Sequence, residues 1–227
     1  MSRLGLVAAL CALGLIATVA HAQQMDFAFG VGTLTSPSAS SATGNYSPVT
    51  MSGGTYLSFS GDVLIKREFG VNGEVAWRAS QAVYRGIQPY RPILYDFNAI
   101  WAPRLGKHAA AEVMGGIGGV SIRFYTPFVT CNGFTCTNYV SSQHFLVHAG
   151  GGLKFYASRS IFIRPEFHAY FINNNFEFSS GRAFREGVSI GYTFRPSGMR
   201  LKGILRLRPG GSAVVAKGMP RFARHDK

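Results

Sequence analysis

The 227-residue chain is 47% hydrophobic and 13% aromatic, with only 15% charged residues and a net charge of +13. Beyond Gln23 no apolar run approaches the roughly 20 residues of a helical span, so the apolar residues are spread through strands and a helical membrane protein is excluded. The charge is localised: Gln23 to Phe194 carry 13 Lys plus Arg against 9 Asp plus Glu, whereas Arg195 to Lys227 carry 9 against 1.

The chain opens with Arg3, an apolar stretch from Leu4 to Val19 and the small-residue site Ala20-His21-Ala22. This is the layout of a cleaved secretory signal peptide, so residues 1–22 are read as a leader and the mature chain as starting at Gln23. The competing reading, a permanent span, meets a stretch that is short for it. Cys11 lies inside the apolar core of the leader, behind the bulky Leu10, and leaves with it.

Eight segments then alternate apolar and polar residues with the period of two of a strand: Met25 to Leu34, Thr55 to Ile65, Phe69 to Ala79, Arg91 to Trp101, Ala109 to Phe124, Gln143 to Tyr156, Ile161 to Phe171 and Arg185 to Phe194. In Thr55 to Ile65, Leu57, Phe59, Val63 and Ile65 share one face, and Ser58, Ser60 and Asp62 the other. Phe69 to Ala79 sets Val71, Val75 and Trp77 against Asn72, Glu74 and Arg78. Ile161 to Phe171 sets Ile163, Phe167 and Phe171 against Arg164, Glu166 and His168.

Alternation alone also suits a soluble β-sandwich. The connections separate the two. Those at Lys66 to Glu68, Ala102 to His108 and Ala157 to Ser160 are tight, while Thr35 to Gly54, Ser80 to Tyr90, Tyr125 to Ser142 and Ile172 to Phe184 are long. Short turns on one rim and long loops on the other are the asymmetry of an up-and-down transmembrane barrel with an even strand count. The fifth segment breaks the pattern, because Glu112 and Arg123 are an odd number of residues apart; a bulge within the glycines Gly115, Gly116, Gly118 and Gly119 is expected to reset the phase.

Residues Gln23 to Phe194 resemble the eight-stranded barrel domain typified by outer membrane proteins A and X, and Gly187-Val-Ser-Ile-Gly-Tyr-Thr-Phe194 resembles the closing strand of that family. The resemblance implies an all-β fold, an eight-stranded antiparallel up-and-down transmembrane β-barrel, in the bacterial outer membrane. It covers about three quarters of the chain. In that family the aromatic terminus ends the domain, whereas here a basic segment, residues 195–227, follows.

An eight-stranded barrel is just wide enough for side chains to fill it. With the polar face inward, the lumen is expected to hold Asp62, Glu74, Arg78, Asp96, Glu112, Lys154, Arg164 and Glu166 as mutually paired charges. That network reads either as a salt-bridged plug or as a gated ion path. His148 and His168 share the polar face on adjacent strands, and His144 lies too far along to join them. Zinc usually takes three or four protein ligands, so the pair is read as hydrogen-bonded and no metal or other cofactor is assigned.

No serine, histidine and carboxylate are placed together by a local motif, so no catalytic site is assigned and the chain is read as a non-enzyme. Gly115 to Gly119 lack the Lys-Ser/Thr of a phosphate loop. Cys131 and Cys136, the remaining cysteines, lie in the third long loop of an exported chain, where a disulfide is expected ahead of a metal pair. Trp77, Tyr84, Tyr90, Tyr95, Trp101, Phe124, Tyr125, Tyr156, Phe171, Tyr192 and Phe194 cluster near strand ends as candidate interfacial girdles. Arg85, Arg91, Arg182 and Arg185 are placed at the outer rim, where they face lipopolysaccharide phosphates or simply solvent.

The tail, punctuated by Pro196, Pro209, Gly210, Gly211 and Pro220, is read as largely disordered and periplasmic, with anionic envelope components as partners. Export disfavours nucleic acid. The expected role is an integral outer-membrane barrel, monomeric, serving structure, envelope integrity or surface display. A narrow channel or small-solute transporter, a lipid A-modifying enzyme and a soluble secreted β-protein remain as alternatives.

Overall fold

A computed structural model describes residues 24–37, 50–132, 135–175, 177, 178 and 180–195. The leader and the segment beyond Arg195 lie outside the described residues, and with them the expected signal peptide and tail.

The described strands are β1 (Gln24–Thr35), β2 (Thr55–Leu64), β3 (Phe69–Arg78), the short β4 (Ala82–Tyr84), β5 (Gln88–Trp101), β6 (Ala109–Asn132), β7 (Thr135–Tyr156), β8 (Ile161–Ile172) and β9 (Arg182–Phe194). Every pairing is antiparallel. The order β3-β2-β1-β9-β8-β7-β6-β5 is closed by pairing of β3 with β5, so the eight long strands form a barrel without a free edge.

Strand periodicity decides what lies on each side of the wall. In β8 exposed and buried residues alternate along nearly the whole strand, with Ile161, Ile163, Phe167 and Phe171 outward and Phe162, Arg164, Glu166, His168 and Tyr170 inward. The outer surface is an apolar belt on every side: Phe29 is 48% exposed, Phe97 54%, Ile117 57% and Ile190 58%. A continuous apolar surface of this extent is untenable in water, where exposed patches rarely exceed a few hundred Å². It matches the lipid-facing band of a membrane barrel.

Pro165, outward in the middle of β8, has no N–H for the ladder. Pairing with β7 accordingly lapses between Gly152↔Glu166 and Phe155↔Ile163, while the β9 side keeps Pro165↔Val188.

Three expectations are corrected. The connection Ser80 to Tyr90 is not all loop: β4 folds back on β5 through a turn in which Arg85 and Gly86 both have positive φ and the Ile87 N–H donates to the Tyr84 carbonyl at 3.2 Å. The connection Tyr125 to Ser142 is largely strand, because β6 and β7 run on as a hairpin to the register pair Cys131↔Cys136, which is disulfide-bonded. The glycine stretch of β6 holds no bulge, since the β5–β6 register is unbroken from Tyr90↔Phe124 to Trp101↔Val113.

That continuous register sends Glu112 inward and Arg123 outward. No reset is needed, because β6 continues beyond Arg123 to Asn132, and the guanidinium stands 4.8 Å over the Tyr139 ring in the projecting hairpin. The register shift of this hairpin falls instead between Tyr125 and Thr130, around Pro127.

Candidate functional site

The lumen is layered. Beneath the long loops, inward Leu34, Tyr56, Tyr90, Leu94, Val120, Ile122, Leu146, Tyr170 and Ile172 pack with Met51 and Phe178 into one apolar cluster. Met51 arrives on the segment after residue 49, which is tied down where Ser36 N–H donates to Ser52 Oγ at 2.7 Å and Ser52 Oγ donates to Ser36 O at 2.8 Å. A smaller cluster of Leu64, Ile100, Ala102 and Met114 lies toward the tight-turn rim.

Between the two clusters sits a fully buried polar network. Lys154 Nζ lies 2.8 Å from Asp26 Oδ2 and 2.7 Å from Asp62 Oδ2, and also pairs with Glu112. Arg164 donates from Nη1 to Glu112 Oε1 at 2.6 Å, from Nε to Glu166 Oε2 at 2.9 Å and from Nη2 to Ser60 Oγ at 2.9 Å. Arg185 pairs with Glu74 and, at 3.3 Å, with Glu166. Each cation bridges carboxylates from different strands, so the network ties the wall across its interior. Its pairs are strong because they are desolvated and multiply hydrogen-bonded, the condition under which buried charge is tolerated.

Small inward residues make the room. A side-chain carbon at Gly150 would stand 2.9 Å from His148 Nε2, and one at Gly118 would collide with the β5 backbone beside Asp96. The glycines are the thin part of the wall that lets long polar side chains meet.

Of the residues expected in the lumen, Asp62, Glu74, Asp96, Glu112, Lys154, Arg164 and Glu166 are buried there. Arg78 is not part of the network. It faces inward four residues along β3 from Glu74, opposite Tyr56 at the edge of the apolar cluster. Arg185, expected at the outer rim, is 2% exposed and inside, because β9 keeps strict period two from Arg185 through Gly187, Ser189, Gly191 and Thr193. Asp26 was missed although the same period in β1 sets it opposite Phe27 and Phe29. Tyr90, expected in a girdle, is buried in the apolar cluster, and Tyr84 packs on it and donates to Glu177 O at 2.9 Å.

His148 and His168 stack with ring centroids 5.1 Å apart, and His148 Nε2 lies 3.0 Å from His168 Nδ1. His144 stands apart from them, 2.9 Å from Glu177 Oε2 and 3.0 Å from Ser142 Oγ through the same Nε2, and Ser142 Oγ also donates to Glu177. This trio was not legible from the sequence, since Glu177 comes from a loop distant along the chain. A nucleophile, base and orienting carboxylate need the acid on the imidazole nitrogen opposite the nucleophile. Here serine and glutamate share one nitrogen, an arrangement that fastens the β8–β9 loop to β7.

No family model and no curated protein matches the chain. Solved structures do. Neisserial surface protein A superposes with a TM-score of 0.54 at 5% identity, covering 76% of this chain and 97% of that one. Ail, the attachment invasion locus protein of Yersinia pestis, superposes at 0.50 with 10% identity, covering 76% and 99%; its complex with the heparin analogue sucrose octasulfate also reaches 0.50, at 13% identity, covering 75% and 98%. At such identities the likeness is one of fold, and it agrees with the closed ring of strands, the apolar belt and the filled lumen: the chain has the fold of an eight-stranded bacterial outer-membrane β-barrel.

Proposed function

We propose that the chain is an integral outer-membrane protein whose closed barrel anchors a projecting hairpin and its neighbouring loops at the cell surface, in a structural and adhesive role. One observation carries the reading: the lumen is filled, whereas among the described residues the wall is extended outward at one place. β6 has 24 residues and β7 has 22, against 14 or fewer in the other strands. The segment beyond Tyr125 adds roughly 20 Å at about 3.3 Å per residue.

The hairpin exposes Phe128, Val129 and Val140, and the Cys131–Cys136 bond closes its tip. Exposed Arg85 and Arg182, with half-buried Arg91 and Arg123 near the same rim, offer cations to lipopolysaccharide phosphates. Ail, of the same fold, was crystallised with a sulfated heparin analogue. At the opposite rim Arg195 donates to the Arg159 carbonyl at 2.9 Å beside Arg104 and Lys107, a basic collar, and the basic composition of residues 196–227 suits anionic periplasmic components as partners.

Chymotrypsin added to intact cells of a Gram-negative host tests the display. The expected result is cleavage within the hairpin, accelerated several-fold in Cys131→Ser, with the barrel strands protected and adhesion lost when residues 126–138 are shortened. A hairpin cut only after the outer membrane is permeabilised would place it on the wrong side and end the proposal.

A further inference from the structure

The charges of the lumen do not balance. Six buried carboxylates, Asp26, Asp62, Glu74, Asp96, Glu112 and Glu166, meet three permanent cations in the network, Lys154, Arg164 and Arg185, an excess of three negative charges while the histidines are neutral. Asp96 and Glu74 are opposed in the β3–β5 register, and Glu166 reaches the same Arg185 as Glu74. Buried carboxylates without counter-charge are strongly disfavoured. Proton uptake by a carboxylate or a bound cation would each offset the excess.

The direction of the hydrogen bonds says where. Asn72 Nδ2 donates to Asp62 Oδ1 at 2.6 Å, and Asn98 Nδ2 donates to Asn72 Oδ1 at 2.8 Å and to Asp96. Asn98 Oδ1 is therefore an acceptor, and His148 Nδ1, 2.7 Å away, must carry its proton. In the neutral ring His148 Nε2 is then bare and accepts from His168 Nδ1–H at 3.0 Å. In its neutral form His168 is in turn left with a bare Nε2, whereas its protonated form would pair Nε2–H with Glu166. That atom is fully buried, has no hydrogen-bond partner among the described residues and faces Glu166 Oε1 at 3.6 Å.

With His168 neutral, two acceptors confront one another at a distance too long for a hydrogen bond. It is close to the separation of about 3.4 Å expected for two ligands bound tetrahedrally at about 2.1 Å from zinc. Glu74 is the third residue of the cluster: Arg185 holds its Oε1, while Oε2 has no hydrogen-bond partner among the described residues and lies on the Nδ1 side of the His168 ring, 3.9 Å away. One ligand atom from each of Glu74, Glu166 and His168 lies within 4.8 Å of the others.

We propose that Glu74, Glu166 and His168 form a binding site for a divalent transition-metal ion of the zinc class, with water completing the coordination. One imidazole and two carboxylates are a donor set such ions accept. Asn98 and His148 are its supporting shell: they fix the proton on His168 Nδ1 and leave Nε2 facing Glu166, as outer partners of metal-bound histidines do. The site lies between apolar layers, so the ion enters during folding and leaves slowly.

The protein is refolded into detergent micelles with Zn²⁺ or with chelator, exhaustively dialysed, and its metal content measured alongside heat-modifiable migration as the check of folding. About one zinc per wild-type chain is expected, falling at least tenfold in folded His168→Ala and in Glu74→Gln, which preserves shape should the first variant not fold. The His144→Ala variant retains the metal. Co²⁺ used in place of Zn²⁺ gives the strong visible absorption of a low-symmetry four-coordinate site, lost in the same two variants. Absence of retained zinc in the folded wild type, or zinc retained undiminished by the folded variants, overturns the site.

Discussion

Replacing Arg164 by leucine is expected to lower the stability of the refolded barrel by about 3–5 kcal/mol, the cost of stranding buried charge. The guanidinium lies 2.6 Å from Glu112, 2.9 Å from Glu166 and 2.9 Å from Ser60, and its Nε also reaches Ser189 Oγ at 3.2 Å. Lys154 still serves Glu112, but the one cation left to Glu166 is Arg185 at 3.3 Å, beside the Ser189 hydroxyl that donates to its Oε2 at 3.0 Å. Arg164→Lys should recover little, since one ammonium cannot reproduce a fork that reaches β2, β6 and β8 together. The midpoint and slope of urea unfolding in micelles measure both. A loss below about 1 kcal/mol for Arg164→Leu would show that the network does not hold the wall.

An arginine on the outer wall separates a lipid-facing surface from a water-facing one. Val188 is midway along β9, 48% exposed, between Val31 and Pro165 in the register. Val140 is 66% exposed in the projecting hairpin. In a bilayer Val188→Arg is expected to cost about 2–4 kcal/mol, whereas Val140→Arg, beyond the belt, costs about 0–1 kcal/mol. Were the belt exposed to water, the two substitutions would be nearly equal and small. Unfolding of each variant from phospholipid vesicles reads the difference directly.

Most of the wall was legible because side-chain direction in a strand repeats every two residues, and that period is the same in sequence and in space. It located the inward carboxylates of β2, β3, β5 and β8. It also contained Arg185 and Asp26, which were passed over although they share the phase of Ser189 and Gln24. What period two could not supply was where a strand ends. The hairpin beyond Phe124 was hidden by Pro127, around which the β6–β7 register shifts, so an interrupted strand read as a loop.

The glycines of β6 misled for a related reason. A bulge and a close approach both call for a residue without a side chain. Gly116 and Gly118 serve the second purpose, lying against the β5 backbone at Asn98 and Asp96. Contacts between distant loops were not readable at all: Met51, Glu177 and Phe178 reach the mouth of the lumen through chain segments with no periodic pattern. The upper plug is therefore a product of tertiary packing, and the charged layer below it a product of strand phase.

The central claim is that the lumen is closed, with a tied polar network between apolar clusters. Electrical recording from the purified protein reconstituted in planar bilayers tests it most directly, with insertion verified by protease protection. The filled lumen predicts a baseline without unitary current steps across the accessible voltages. Reproducible steps from the wild-type protein, abolished by heat denaturation, would contradict it and establish an open path through the barrel.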